Sequence, residues 1–141
     1  MESLFIGQIA TRAGVPVKTI RYYEEMGLLP PAGRNAAGYR TYGLRVIDRL
    51  VFIKKAQSLN LTLKDIKSIL DLADRGGCPC GHVQVTLQQT LQKLRQKIED
   101  LQAIEKNLVG AMRQKSPQDF KPHGSAICPK IQQKLKKKQK N

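Results

Sequence analysis

The N-terminal region carries apolar side chains at the spacing of two short helices separated by a turn. Apolar residues between Ile6 and Ala13 recur every three or four positions, which is the repeat of one helix face. Val17, Ile20 and Tyr23 repeat this spacing after the helix-breaking residues 14–16. The pattern therefore predicts a helix-turn-helix in which Tyr23 lies on the side that faces the core.

The next stretch is too interrupted by glycine and proline to form a helix. These residues stand at positions 27, 30, 31, 33 and 38. Leu28 and Leu29 form one short apolar segment, and residues 39–42 form another that suits a strand. We predict that these two segments pair as a small β-hairpin, which would be a wing beside the helix-turn-helix.

Two further helices are predicted between the wing and residue 75. The first runs from about residue 44 to residue 58, with Asn60 ending it. The second covers residues 63–72, because Thr62 suits the N-cap and Asp65, three residues later, nearly matches a capping box. The inward positions of the two helices are Val46, Ile47, Leu50, Val51, Ile53, Ile66, Ile69 and Leu70.

A long amphipathic helix is predicted over residues 83–113. A helix of roughly 30 residues is about 45 Å long, which exceeds what the small head can cover. The sequence predicts no second helix of this length, so we expect the apolar stripe to pack against the same helix of a second subunit, in a coiled coil, rather than within one chain. The stripe consists of Leu87, Leu91, Leu94, Ile98, Leu101, Ile104, Leu108 and Met112.

The charge of the chain indicates nucleic acid as its partner. Lys and Arg total 25 against 11 Asp and Glu, which gives a formal net charge of +14. Such an excess suits a surface that neutralises phosphates. Part of it lies in a C-terminal run that reads as a solvated tail, Lys134, Lys136, Lys137, Lys138 and Lys140.

The hydropathy of the chain predicts a cytoplasmic protein without a membrane partner. No window approaches the roughly 20 apolar residues that span a bilayer, and the first residues lack the layout of a secretory signal. The three cysteines are an odd number, and two of them are Cys78 and Cys80. They suit thiols or metal ligands better than a disulfide framework.

Basic and aromatic residues stand where a winged helix-turn-helix would meet DNA. The second helix of such a motif lies in the major groove, and the wing and the start of the third helix can bond phosphates. A solvated basic face on a protein of other purpose is the alternative at this point. The candidate DNA-binding residues are Lys18, Thr19, Arg21, Tyr22, Arg34, Tyr39, Arg40 and Arg45.

Four motifs in this order and spacing resemble the MerR family of regulators. They are residues 5–10 (FIGQIA), 20–24 (IRYYE), 27–30 (GLLP) and 38–42 (GYRTY), and the resemblance extends over roughly residues 4–112. It implies a mainly α fold, with a winged helix-turn-helix head and a long dimerisation helix that forms an antiparallel coiled coil.

The resemblance also implies a mechanism. In that family a homodimer binds a pseudo-palindromic operator in a promoter whose two elements are held too far apart. The effector-bound dimer bends and untwists the DNA between the two elements, the spacer, so that RNA polymerase engages both of them. Carried over by position, Arg21 and Tyr22 would contact DNA from the second helix, and Tyr39 and Arg40 from the wing.

Sulfur and imidazole side chains stand at both ends of the predicted long helix. Cys78, Cys80 and His82 precede it, and Cys128 follows the loop after it, so the two groups could meet across the subunits of an antiparallel dimer. Three sulfurs and one nitrogen would complete a tetrahedral zinc shell.

The resemblance adds a ligand set to this chemistry. Cys80 resembles the cysteine that opens the dimerisation helix in the family's divalent-metal sensors, and Cys128 resembles its last ligand. The usual cysteine near residues 111–115 is absent here, and Cys78 or His123 would replace it, with His82 as a further candidate. Such ligation favours zinc, then cadmium or lead, with mercury also open.

Two other functions remain as alternatives. Cys78 and Cys80 could be a redox switch on the same DNA-binding fold, or the chain could be a metal-buffering protein whose basic surface is incidental. An enzyme is not expected, because no catalytic constellation is present. We divide the chain into a DNA-binding domain (1–75), a metal-sensing loop (76–82), the dimerisation helix (83–113) and a C-terminal effector loop, short helix and basic tail (114–141).

Overall fold

A computed structural model describes residues 2–115 and 118–132 of the chain. The described part is mainly helical, with one small antiparallel sheet. Its elements are β1 (Ser3–Leu4), α1 (Ile6–Ala13), α2 (Val17–Glu25), β2 (Gly33–Arg34), β3 (Arg40–Gly43), α3 (Arg45–Ser58), α4 (Leu63–Asp74), α5 (Cys80–Arg113) and α6 (Pro129–Gln132). The predicted fold class is confirmed.

The helix-turn-helix forms as the apolar spacing predicts. Gly14 has φ 66°, a left-handed conformation that glycine adopts without steric cost, and its N–H donates to the carbonyl of Ala10. The chain then turns into α2, whose Ile20 and Tyr23 are buried. Tyr23 also donates a 2.9 Å hydrogen bond from its hydroxyl to Oε1 of Gln57.

The wing forms, but the strand partner that we predicted for residues 39–42 is wrong. β3 pairs with β2 and not with the leucine pair, and Gly33 and Arg34 lie opposite Thr41 and Arg40. Leu28 and Leu29 are both buried in the core, because two adjacent leucines lose more by exposure on a wing than a Gly-Arg pair does. A strand that we did not predict, β1, pairs with the other edge of β3.

The two helices after the wing are confirmed, within two residues at each end. Asn60 adopts φ 63° beyond the end of α3. Thr62 and Asp65 form the capping box that starts α4, each side chain accepting a hydrogen bond of 3.1 Å from the other residue's backbone N–H. The fully buried side chains at the centre of the head are Ile9, Ile20, Leu28, Leu50, Ile53 and Ile66.

The long helix begins earlier than the apolar stripe predicted. α5 starts at Cys80 and not at Val83, so Cys80 and His82 belong to its first turn and not to a loop. The carbonyl of Pro79 accepts from the N–H of Val83 at 2.8 Å, which begins the helical hydrogen bonding before the apolar repeat begins. Val83 and Leu87 pack against the core of the head.

The chain divides into two compact units inside α5, the second beginning at Leu91. In this second unit the apolar stripe of α5 is largely exposed, as Leu101 (64 %) and Met112 (76 %) illustrate. The short helix predicted after Pro129 is confirmed as α6. The lysine-rich tail lies outside the described residues.

Candidate DNA interface and metal site

The exposed face of α2 carries the residues predicted to enter the major groove. Lys18, Arg21 and Tyr22 are exposed, and Thr19 is half-buried. Their neighbour Tyr23 is only 5 % exposed, against 48 % for Tyr22. Burial of the other face of α2 thus turns this basic and aromatic set toward solvent, where base edges and phosphates can be reached.

The wing is a tight turn held by side chains of its own. Oδ1 of Asn35 accepts hydrogen bonds of 3.0 Å from the N–H groups of Ala37 and Tyr39. Arg34 donates from Nη1 to the carbonyl of Gly38 at 2.7 Å. These contacts fix the turn, while Arg34, Tyr39 and Arg40 stay exposed.

The aromatic ring of Tyr39, in the turn of the wing, has a partner that sequence reasoning missed. Phe5 lies edge-on to the ring of Tyr39, with ring centroids 6.4 Å apart and planes at 87°. Tyr39 is 66 % exposed. Phe5 thus restricts the position of a side chain that is otherwise free to face DNA, and no spacing in the sequence indicates a pair separated by the whole helix-turn-helix.

The wing is also tied to α2 through a buried tyrosine. Tyr42 donates from its hydroxyl to Oε2 of Glu24 at 2.8 Å. Burial, followed by the nearby Glu24, raises the pKa of Tyr42, so the hydroxyl stays protonated and able to donate. α3 packs against β3 in turn. The wing, α2 and the exposed Arg45 at the start of α3 are therefore parts of one packed surface.

Two thiols stand at the beginning of α5. Cys78 and Cys80 are both exposed, and neither is in a disulfide. The backbone N–H of Cys80, followed by the Cys80 thiol, lowers the pKa of Cys78, and Cys78 in return raises the pKa of Cys80. The two thiols therefore ionise as an interacting pair, and a thiolate is the form that binds metal or reacts with oxidants.

His82 lies on the α4 side of the first turn of α5. It lines an open surface pocket of about 270 Å³ together with residues of α4 and the turn after it. The other lining residues are Ser68, Asp71, Leu72 and Arg75.

In the second unit, a side chain of α6 holds the backbone around Cys128. Oε1 of Gln132 accepts from the N–H groups of Ile127 (2.6 Å) and Cys128 (2.9 Å), and its Nε2 donates to the carbonyl of Ser125 at 2.6 Å. Cys128 is half-buried. Sequence reasoning missed Gln132, although a glutamine four residues after the residue that precedes a helix can reach back to free N–H groups.

His123 lies in the same unit as Cys128. It pairs with Ala126 in an isolated antiparallel bridge, and its ring lies 6.1 Å from that of Phe120. Within residues 2–115 and 118–132 of this single chain, no three His, Cys, Asp or Glu side chains converge in a way that could hold a metal ion. Cys78, Cys80 and His82 belong to the first unit, and His123 and Cys128 to the second.

The helices in the described ranges include none with both the length and the apolarity that crossing a bilayer requires.

Comparison with known proteins covers almost the whole chain. Residues 5–73 match the family of MerR HTH family regulatory proteins, and residues 47–111 match the family "MerR, DNA binding". A mercuric resistance operon regulatory protein of Bacillus cereus is 36 % identical over 132 residues, which are 94 % of this chain and 97 % of that protein.

Two solved structures share the fold over most of the chain. The transcription regulator PbrR691 of Ralstonia metallidurans CH34, in complex with lead(II), has a TM-score of 0.74 and 30 % identity, and the match covers 91 % of this chain and 96 % of that one. MerR of Bacillus megaterium MB1, in complex with mercury(II), has a TM-score of 0.62 and 33 % identity, covering 83 % and 91 %. This chain belongs to the MerR family of helix-turn-helix regulatory proteins, which are transcription regulators and not enzymes.

Proposed function

We propose that this protein is a metal-responsive transcription regulator that binds promoter DNA in the cytoplasm as a homodimer. One observation carries the proposal. Two exposed thiols, Cys78 and Cys80, stand at the start of the long helix of a chain whose head is a winged helix-turn-helix. The named relatives are regulators of mercury resistance or regulators bound to lead or mercury, which supports metal as the effector.

The proposed DNA-binding residues share one property, which is that they are polar or aromatic and not needed for the core. Seven are exposed and Thr19 is half-buried. A protein that distorts DNA needs firm contacts to the phosphate backbone at two half-sites. The proposed set therefore combines phosphate contacts from the wing with groove contacts from α2. The set is Lys18, Thr19, Arg21, Tyr22, Arg34, Tyr39, Arg40 and Arg45.

Dimerisation is proposed to run along α5. A helix of 34 residues whose apolar stripe is largely exposed from Leu91 onward gains burial only from a partner of similar length. The same helix of a second subunit, antiparallel, supplies it. The head, residues 1–75, would then be presented twice at a fixed separation, with residues 83–113 as the rod and residues 76–82 and 114–141 as the sensing segments.

Cysteine sulfur is proposed as the main ligand type. Cys80 and Cys128 are the principal ligands, with Cys78 in place of the cysteine that residues 111–115 lack, and His123 or His82 as the nitrogen alternative. Thiolates fit soft and borderline ions, so zinc, cadmium, lead and mercury form the set to compare. When bound, the ion would draw its ligands into one coordination shell, and the chain's own residues would carry that constraint to the head.

Transcription in vitro from the protein's own promoter tests the proposal. With purified RNA polymerase, we expect the protein to occupy the spacer with and without metal, and transcription to rise with at least one of zinc(II), cadmium(II), lead(II) and mercury(II). Sedimentation in the same buffer should give a dimer. Occupancy without any response to the four ions would remove the metal from the proposal, and a monomer that ignores duplex DNA would remove the whole of it.

A thiol redox response is the second candidate, because the pKa of the exposed Cys78 is lowered beside a second thiol. Hydrogen peroxide in place of metal in the same transcription assay separates the two effectors. Metal buffering without regulation is not proposed, since family membership makes the chain a transcription regulator.

Replacing Gln132 by alanine is expected to weaken metal binding by about tenfold, because partners that orient a ligand commonly contribute that much. The change removes the acceptor of two N–H groups beside Cys128 and the donor to Ser125. Competition with a chromophoric zinc chelator gives the dissociation constant. Gln132→Glu keeps the acceptor and should lie nearer the wild type, and Lys130→Ala, an exposed change in the same helix, serves as control. An unchanged dissociation constant for Gln132→Ala would contradict the role.

A further inference from the structure

One arginine of α3 binds two separate parts of the head. Arg49 donates from Nε to the carbonyl of Leu28 at 2.6 Å. Its Nη1 and Nη2 donate to Oδ1 and Oδ2 of Asp74 at 2.7 and 2.9 Å. All three bonds come from one planar guanidinium, whose side chain is only 18 % exposed. The fork geometry of arginine makes this two-sided contact possible, and lysine cannot reproduce it.

The first contact reaches the end of the helix that enters DNA. Leu28 donates its N–H to the carbonyl of Tyr23 at 2.9 Å, so its backbone is bonded to the last turn of α2. The left-handed Gly27, with φ 74°, makes this return possible. Any displacement of the Leu28 carbonyl therefore reaches the C-terminal end of α2.

The second contact reaches the segment that carries the thiols. Asp74 is the last residue of α4 and stands four positions before Cys78. The turn between them is closed onto α4, since Gly76 donates to the carbonyl of Ala73 at 3.0 Å and Gly77 to that of Leu72 at 3.2 Å. The chain from Asp74 to the thiols is thus short and held by hydrogen bonds, so a displacement of the thiol pair bears directly on Asp74.

We infer that Arg49 is a positioning residue that couples the thiol-bearing segment to the recognition helix α2. The inference rests on the proposed function and adds to it the route by which the state of the thiols reaches DNA. Arg49 touches neither DNA nor metal in this role. It joins the Asp74 carboxylate to the Leu28 carbonyl, so that the two ends move together.

The geometry of this bridge separates it from an ordinary surface ion pair. Bidentate, charge-assisted bonds constrain orientation as well as distance, and the Arg49 hydrogen bonds also lower the pKa of Asp74, which keeps the carboxylate ionised. One turn earlier on α4, Asp71 pairs with Lys67 at 2.9 Å, with both side chains more than 40 % exposed (43 % and 42 %). That pair lies within one helix and offers a matched control.

Asp74→Asn tests the inference, because the Asp74 side chain is 54 % exposed and its neutral amide keeps the shape of the carboxylate. Asp71→Asn removes the same charge from the same helix. Arg49→Lys keeps the positive charge of the bridge but loses the forked geometry of the guanidinium. For each full-length variant, the melting temperature and the affinities for the promoter duplex, zinc(II) and mercury(II) are measured first. We expect each affinity to change by less than about threefold.

Two readouts then measure coupling. The ratio of transcription with and without mercury(II) or zinc(II) should fall about fivefold or more in Asp74→Asn and Arg49→Lys and stay near the wild type in Asp71→Asn. Without any metal, the promoter duplex should change the rate at which N-ethylmaleimide labels Cys78 and Cys80 in the wild type, and Asp74→Asn should abolish that change, because coupling between two sites is reciprocal.

The two readouts keep the inference distinct from the function on which it rests. A wild type that no metal activates would count against the proposed function, and the labelling experiment would still decide the coupling. The Arg49 bridge does not couple the thiol-bearing segment to α2 if the duplex leaves the labelling rate of the wild type unchanged. The same conclusion follows if Asp71→Asn loses coupling as fully as Asp74→Asn.

Discussion

Cys80→Ser is expected to abolish tight metal binding and, with it, metal-dependent transcription. Serine keeps the size of the side chain but replaces a thiolate ligand by a hydroxyl that soft and borderline ions bind poorly. Cys80 lies in the first turn of α5 and is exposed, so the substitution should leave the fold intact. The wild type should bind about one equivalent of zinc(II) or cadmium(II) per subunit, and calorimetric titration should detect none for the variant.

The control for this change stands one residue away. A Cβ at Gly81 would meet nothing within 4 Å, so Gly81→Ser adds a serine to the same helical turn without removing a thiol, and it should bind metal as the wild type does. Cys78→Ser and Cys128→Ser, titrated alongside, assign the remaining ligands. Tight binding that survives in Cys80→Ser would exclude this cysteine from the site.

Arg21→Ala is expected to weaken operator binding by about 1 to 3 kcal/mol, the usual cost of losing a specific arginine contact. In dissociation constants this is a loss of roughly 5- to 150-fold. Arg21 is exposed on α2 between the buried Ile20 and the exposed Tyr22, so its removal takes nothing from the core. Fluorescence anisotropy with the promoter duplex, at one stated salt concentration, measures the change.

A second arginine separates a specific contact from a loss of charge. Arg95 is exposed on α5, outside both the head and the apolar stripe, so Arg95→Ala removes the same charge without touching the proposed interface. Its effect should stay within about 0.5 kcal/mol. Repeating the titrations at several salt concentrations shows whether Arg21→Ala also reduces the salt dependence, as a lost phosphate contact would. Equal affinities for Arg21→Ala and the wild type would sink the assignment.

The helices of this protein follow from local features of the sequence. The apolar repeats predicted α1, α2, α3 and α4, and Thr62 with Asp65 marked the start of α4 as the structure has it. Such features are readable because each helix buries one face, and that face recurs every three to four residues whatever it packs against. The same repeat also predicted which residues of α2 are exposed, because they are the ones that lie off the buried face.

The wing illustrates what a local pattern cannot decide. Leu28 and Leu29 have the apolar character of a strand, yet they are buried in the core, and the two-residue strand Gly33–Arg34 pairs with β3 instead. The strand Ser3–Leu4 pairs with residues 42 and 43, which are distant from it in the sequence. Two-residue strands carry no periodicity, so only the packing of the whole head selects their partners.

By itself, the sequence determined which features of this protein can bind DNA, metal and a second subunit. They are a basic and aromatic α2, three cysteines, and a helix too long and too apolar on one face for its own head to cover. Tertiary structure alone decided which residues from distant parts of the chain contact one another. It placed Arg49 between Leu28 and Asp74, Phe5 against Tyr39, and Gln132 around Cys128. Periodicity reports which face of a segment is buried, whereas these contacts are set by where separate segments meet once the core has formed.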